Sequence, residues 1–177
     1  MNETLPSPEE AIKILQKVGC PNNVIKHCEA VAKLAVQIAK KCSENGVAVN
    51  IRLVHVGALL HDIGRSKTHE VHHAVVGSEI AESLGLPKPV ISIIKRHVGG
   101  GITPEEAEKL GWPSGSYMPE TIEEKIVSYA DKLIEGSKVI PIEKTIERLK
   151  RELGANHPAA ERVRRLHNEV SVLCGLA

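Results

Sequence analysis

Apolar residues along this chain recur at three- and four-residue intervals and almost nowhere in strict alternation, the spacing of amphipathic helices. Ser7-Pro8-Glu9-Glu10 is a capping box with proline at the first helical position, which predicts a helix from Pro8 to Val18 closed by Gly19. Pro21 opens a longer helix to Glu44, stopped by Gly46, on which Val24, His27, Val31, Leu34 and Ile38 share a face. Asn50 caps the next helix, where Val54, Gly57, Ala58 and His61 line up, and Gly64 is expected to turn the chain away from it. Ser66 to Glu70 reads as a loop. The period returns at His73, Gly77, Ile80 and Leu84 and stops at Gly85. Beyond Pro87 and Pro89, Val90, Ile93, Ile94 and His97 are expected on one helical face, up to the break at Gly99-Gly100-Gly101.

Thr103-Pro104-Glu105-Glu106 repeats the capping chemistry for a short helix ending at Gly111. Trp112 to Pro119, rich in Pro, Gly and Ser, predicts a surface loop. Thr121 and Glu124 cap a helix through Glu135. On it Ile126, Ala130 and Leu133 form one apolar stripe and Val127, Asp131 and Ile134 a second, so Asp131 points into a buried region. Pro141 starts a helix to Leu153, and Asn156-His157-Pro158 begins the last one, with Arg162, Arg164 and Arg165 on its surface. No segment reads as a strand, a repeat or a linker. The expectation is an all-α, single-domain helical bundle over residues 1–177, with a core at 21–136 and C-terminal helices at 141–174.

Composition sharpens this picture. Aromatic residues are only 2% of the chain and Phe is absent, so the core is built from Leu, Ile, Val and Ala, which suits helix packing better than an aromatic-rich sheet. A net charge of +1 gives no electrostatic case for binding bulk nucleic acid or a membrane surface. Cys20, Cys28, Cys42 and Cys174 show no metal-binding or redox spacing and are expected as buried thiols in a reducing compartment. Met1 to Glu10 is polar, and no apolar run is long enough to cross a bilayer, so the expected location is cytoplasmic.

Four histidines, His27, His61, His73 and His97, fall on apolar faces of four different helices, and Asp62 and Asp131 fall at or within apolar segments. One such histidine alone is more often a hydrogen-bonded core residue. A buried carboxylate, however, is costly unless it is paired or bound to a cation. Gathering all six around one or two divalent ions would remove that cost, as inward-facing ligands do in helical bundles.

The order His27, His61-Asp62, Asp131 and the phrase ALLHDIGR resemble the HD-domain metal-dependent phosphohydrolase superfamily. The segments HHAVVGSEIA, IIKRHVGGG and KIVSYADKLIEG resemble its histidine-rich subset, which includes dinucleoside-tetraphosphate hydrolases of the HD type. The resemblance spans Asn23 to Glu135. It implies that His27, His61, Asp62 and Asp131 hold one metal and that Asp62 bridges to a second completed by His73 and His97. His72 is the rival of His73, which is preferred because it shares the stripe of Gly77, Ile80 and Leu84. Nitrogen and oxygen ligands without thiolate fit Mn, Fe, Co, Ni or Zn, and the resemblance to the histidine-rich members, with six ligands of which four are histidines, implies Fe or Mn.

The implied activity is hydrolysis of a phosphate ester or anhydride of a nucleotide or other small phosphorylated molecule. Asp62 and Arg65 are the catalytic candidates. Arg65 is the first candidate for a phosphate contact, with Lys132 and Arg96 weaker ones that would more readily face solvent or pair with a glutamate. His55 is read as a core or surface residue, and His69, His157 and His167 as surface residues. Arg65-Ser66 stand where guanosine-tetraphosphate hydrolases of this superfamily carry Glu-Asp, and no Gly-Tyr-Pro follows as in its cyclic-di-GMP phosphodiesterases, which disfavours both activities. Two alternatives remain at this level: an HD-fold nucleotide-binding or regulatory module without turnover, and a diiron oxygenase on the same scaffold.

Overall fold

The computed structural model describes residues 4–176. Met1 to Glu3 of the polar N-terminal stretch, and residue 177 at the end of the expected domain, lie outside the described residues. The elements are α1 (Pro8–Val18), α2 (Asn22–Glu44), α3 (Ile51–Leu60), a 3-10 turn (Ile63–Ser66), α4 (His73–Ser83), α5 (Lys88–Lys95), α6 (Pro104–Lys109), α7 (Ile122–Lys132), β1 (Ile134–Glu135), β2 (Lys138–Val139), α8 (Ile142–Leu153) and α9 (Pro158–Leu173). The fold is the expected helical bundle. Capping boxes form at Ser7, Thr103 and Thr121, each satisfying two backbone N–H groups that a helix start leaves free. The Asn50 side chain accepts from the Leu53 N–H at 3.1 Å and starts α3.

The core lies where α2, α3 and α7 meet. Val31, Ala35 and Ala39 of α2, Val54 and Ala58 of α3, and Ile126, Val127 and Ala130 of α7 are all fully buried. The alanines let the helix axes approach closely. Burying each larger side chain of this set stabilises the fold by about 1.5–3 kcal/mol. That term offsets the cost of the polar groups held at the centre. Helix α1 covers α3, α4 pairs with α5, and α9 lies over α7 and α8.

Five expectations are corrected. The last part of the α7 prediction is a two-stranded antiparallel hairpin, Ile134 opposite Val139 and Glu135 opposite Lys138. It turns at Gly136, whose φ of 62° is the left-handed conformation a tight hairpin turn needs and glycine adopts without strain. His97 lies two residues beyond α5 rather than on its face. The 112–119 segment is no free surface loop: Trp112 and Tyr117 are buried with Val75 and Ala107 in a second small core. The neighbouring α6 is held to α9 by Arg162, which is paired with Glu106 at 2.8 Å. Cys42 and Cys174, from the ends of α2 and α9, form a disulfide, and only Cys20 and Cys28 are free buried thiols among the described residues. Gly64, finally, has no left-handed φ and does not turn the chain away. Its absent side chain serves packing, as shown below. Among the described residues, no helix is long and apolar enough to cross a membrane.

Candidate metal centre

His27 sits in the second turn of α2, and Asp131 in the last turn of α7. His61 closes α3, and Asp62 follows at once, where the backbone tightens into the 3-10 turn. A Cβ on Gly64 would overlap the carbonyl oxygen of His73, and one on Gly77 would press on Gly64 N and Ile63. The two glycines thus let the 3-10 turn lie directly on α4, which sets His73 over Asp62. His97 is placed from the other side, because its carbonyl accepts hydrogen bonds from the Ser128 hydroxyl at 3.2 Å and the Lys132 ammonium at 2.9 Å, both on α7.

All six ligand candidates converge. Asp62 Oδ1 lies 3.1 Å from His73 Nε2 and 3.2 Å from His97 Nε2. Asp62 Oδ2 lies 3.4 Å from His61 Nε2 and 3.7 Å from His27 Nε2. Asp131 Oδ1 is 2.9 Å from His27 Nε2 and 3.3 Å from His61 Nε2. Asp62 therefore turns one oxygen to each of two groups of donors. His72, the rival of His73, is half-exposed and faces Glu70 at 3.4 Å.

The tautomers follow from the outer partners. His61 Nδ1 faces the Ala58 carbonyl at 2.6 Å, His73 Nδ1 that of Glu70 at 2.7 Å, His97 Nδ1 that of Ile94 at 2.7 Å and His27 Nδ1 that of Gly136 at 2.7 Å. A carbonyl only accepts, so each Nδ1 carries the hydrogen and each neutral ring turns a bare Nε2 lone pair to the centre. Metal-binding histidines are oriented in this way. The Nε2 atoms of His73 and His97 then face each other at 3.0 Å, beside Asp62 Oδ1, with no hydrogen between them in the neutral rings. His61 Nε2 is fully buried and has no hydrogen-bond partner. Lone pairs so gathered repel one another unless a cation stands among them. The donor set, four imidazoles and two carboxylates, fits a divalent transition metal.

The charges agree. Burial works against ionised carboxylates here, yet the imidazole of His61, and those of His73 and His97 whenever they carry a second proton, hold Asp62 well below the usual range. Asp131 is likewise held down against burial by the Lys132 ammonium and by His27 and His61. Burial opposes a proton on His61 too, but the Asp62 and Asp131 carboxylates raise its pKa well above normal. Burial, against the pull of Asp62, pushes His97 down to about 4. The cluster therefore demands positive charge, while His97 resists supplying it as a proton.

A cavity of about 410 Å³ opens above the cluster. Arg65 lies on its wall, with Nε 3.1 Å from Asp62 Oδ2 and a guanidinium hydrogen bond to the His69 carbonyl at 3.0 Å. Lys132, expected to face solvent or a glutamate, is instead buried and paired with Asp131 at 2.9 Å. Arg96 is not brought to the cavity; its guanidinium is bound to Glu124 at 2.9 and 3.0 Å. His69, read as a surface residue, is exposed but stands at the cavity rim. His157 caps α9 by accepting from Ala159 N–H at 3.2 Å, and His167 bonds the buried Tyr129 hydroxyl at 2.6 Å, so neither is an idle surface group. The sequence reading missed the α8 wall of Thr145, Arg148, Leu149 and Glu152. Only the amphipathic period of α8 hinted that one face would be covered.

A family model described as HD domain matches residues 24–136. An uncharacterized protein of Methanocaldococcus jannaschii is 45% identical over 165 residues, which cover 93% of this chain and 97% of that one. A tRNA (cytidine(56)-2'-O)-methyltransferase of Picrophilus torridus is 40% identical over 171 residues, 97% of this chain but 48% of the relative, so the chain spans about half of that protein's length. Among solved structures, the HD domain of the L. monocytogenes phosphodiesterase PgpH in complex with cyclic-di-AMP superposes with a TM-score of 0.55 at 20% identity, covering 94% of this chain and 96% of that one. That likeness is one of fold.

Proposed function

The chain belongs to the HD-domain family, and from that premise we propose that it is a metal-dependent phosphohydrolase acting on a nucleotide or another small phosphorylated molecule. The observation that carries this is the pair of facing Nε2 atoms of His73 and His97, 3.0 Å apart beside Asp62 Oδ1, matched across Asp62 by the unpartnered Nε2 of His61. His27, His61, Asp131 and Asp62 would hold one ion, and Asp62, His73 and His97 a second, with Fe or Mn favoured. Bound there, divalent ions supply an acidified water and polarise a phosphoryl group.

The chain's own side chains do the rest. Arg65, on the cavity wall and anchored by Asp62 and the His69 carbonyl, offers its remaining N–H groups to phosphate oxygens. Lys132 fixes the Asp131 carboxylate and the His97 backbone together, which holds the ligands in place as charge shifts during the reaction. Thr145 ties α8 to the end of α7 through the Lys132 carbonyl at 2.6 Å and so sets the far wall of the cavity. The 21–136 segment thus carries the chemistry and the 141–174 helices close the pocket.

Metal analysis of the purified protein, followed by turnover assays on phosphomonoesters, phosphodiesters and dinucleoside polyphosphates with each metal found, tests this. Metal together with hydrolysis lost in Asp62→Ala is the expected result. A metal-loaded protein that cleaves nothing in the panel, while binding nucleotides tightly, would leave a binding module in its place.

A further inference from the structure

The cluster opens on two sides. Beside the cavity of about 410 Å³ that runs to α8, a second of about 300 Å³ runs to the start of α2, where Asn23 and Val24 line it. The two share His27, Asp62, Arg65, His69 and Gly136, the residues at and above the ligand set. Each is of the size that accommodates a small-molecule group. A pocket for a terminal phosphate needs only one such recess and is closed behind the phosphorus. Here neither side is closed.

Charge points the same way. The larger cavity carries three cationic side chains, and each already faces a carboxylate: Arg65 on Asp62 at 3.1 Å, Lys132 on Asp131 at 2.9 Å and Arg148 on Glu135 at 3.4 Å. Glu152 adds a fourth carboxylate to the same lining. A dianionic monoester would meet little spare positive charge outside the ligand set, whereas a diester brings a single negative charge.

Resting on the hydrolase reading, we infer that the substrate is a phosphodiester with a nucleoside-sized group on each side of the phosphorus, one against α8 and the other against the start of α2. Water oxygen forms one new P–O bond and one ester P–O bond breaks. The leaving oxygen takes a proton from that water, giving a phosphomonoester and an alcohol, one product in each cavity. The walls that discriminate among substrates are Thr145, Arg148 and Leu149 on one side and Asn23 on the other, all outside residues 24–136 that the family model matches.

Equilibrium binding to the protein as purified tests this with three adenosine probes: a phosphorothioate-linked dinucleotide, the methyl phosphodiester of AMP, and AMP itself. The methyl ester has the charge of a diester but only one large arm. The dinucleotide is expected to bind about ten-fold or more tighter than either of the others. Asn23→Trp, at an exposed position that fills the α2-side cavity, is expected to erase that advantage. Equal or weaker binding of the dinucleotide, or an advantage that survives Asn23→Trp, overturns the inference. Failure of the hydrolase reading is read separately. An oxygen-linked dinucleotide that binds with this preference but is not cleaved with Mn, Fe, Co, Ni or Zn sinks that reading and leaves two-armed recognition standing.

Discussion

On one side of Asp62, His27, His61 and Asp131 come from α2, α3 and α7, the three helices whose apolar faces make the main core. On the other, His73 and His97 come from chain at helix margins, one opening α4 and the other just past α5. The first set is placed by long helices packing on one another. The second is placed by backbone contacts: the Gly64–Gly77 approach under His73, and the Ser128 and Lys132 hydrogen bonds to the His97 carbonyl. Exposure does not follow the same division: the His27 and Asp131 side chains are 18% exposed, but His61 of that set is 0%, below His73 at 6% and His97 at 2%. The lesson is that one ligand chemistry can be reached by two routes with different vulnerabilities. Short of losing a ligand itself, the placement of the first set should fail only with the fold, and that of the second should fail locally.

The largest effect is expected from Asp62→Ala, because Asp62 alone serves both halves. Turnover should fall about 10³-fold or more, with metal lost from both positions, as hydrolysis assays and elemental analysis would show. Metal retained at full stoichiometry in that variant would end the comparison. His61→Ala and His97→Ala should each empty one half only; if either strips all metal, the halves are not separable. Gly64→Ala should destabilise the protein by about 1–3 kcal/mol in urea unfolding, since the added methyl meets backbone that cannot yield, and should cost the His73–His97 half its metal first. Ser128→Ala, which removes one of two donors to the His97 carbonyl, should cost about 0.5–1.5 kcal/mol and weaken the same half without touching the other.

A separate measurement distinguishes the halves by pH in metal-free protein. The fold excludes a proton from His97 down to about 4, against an ordinary value of 6.5, so the unfolded chain binds more protons between those limits. Stability should therefore fall as the pH drops from 6.5 toward 4. The raised pKa of His61 acts oppositely, with its contribution whole below 6.5 and lost as pH rises through the higher folded value. Asp62 and Asp131, held low, keep their contribution above 3.8 and lose it below. Urea unfolding of His97→Gln should lose the slope between 6.5 and 4; an unchanged slope would place its origin elsewhere.

Periodicity and capping chemistry were enough to mark nearly every helix, because those signals are local: Ser7 with Glu10, Thr103 with Glu106 and Thr121 with Glu124 each act within one turn. They were also enough to put His27, His61, His73 and Asp131 on inward faces. They misplaced the Gly64 role, the end of α7 and the Trp112–Tyr117 core. Each of these depends on what another segment presses against, and no window along the chain contains that.

The sequence by itself therefore determined an all-α chain with imidazoles and carboxylates directed at its interior, since spacing decides which side of a helix meets the core. Only the tertiary structure decided that Asp62 faces two donor groups with separate oxygens, that Lys132 is buried among them while Arg96 turns to Glu124, and that α8 walls the cavity. Those facts rest on distances between residues far apart in the chain, and such distances are set by how close glycine and alanine allow helices and turns to come.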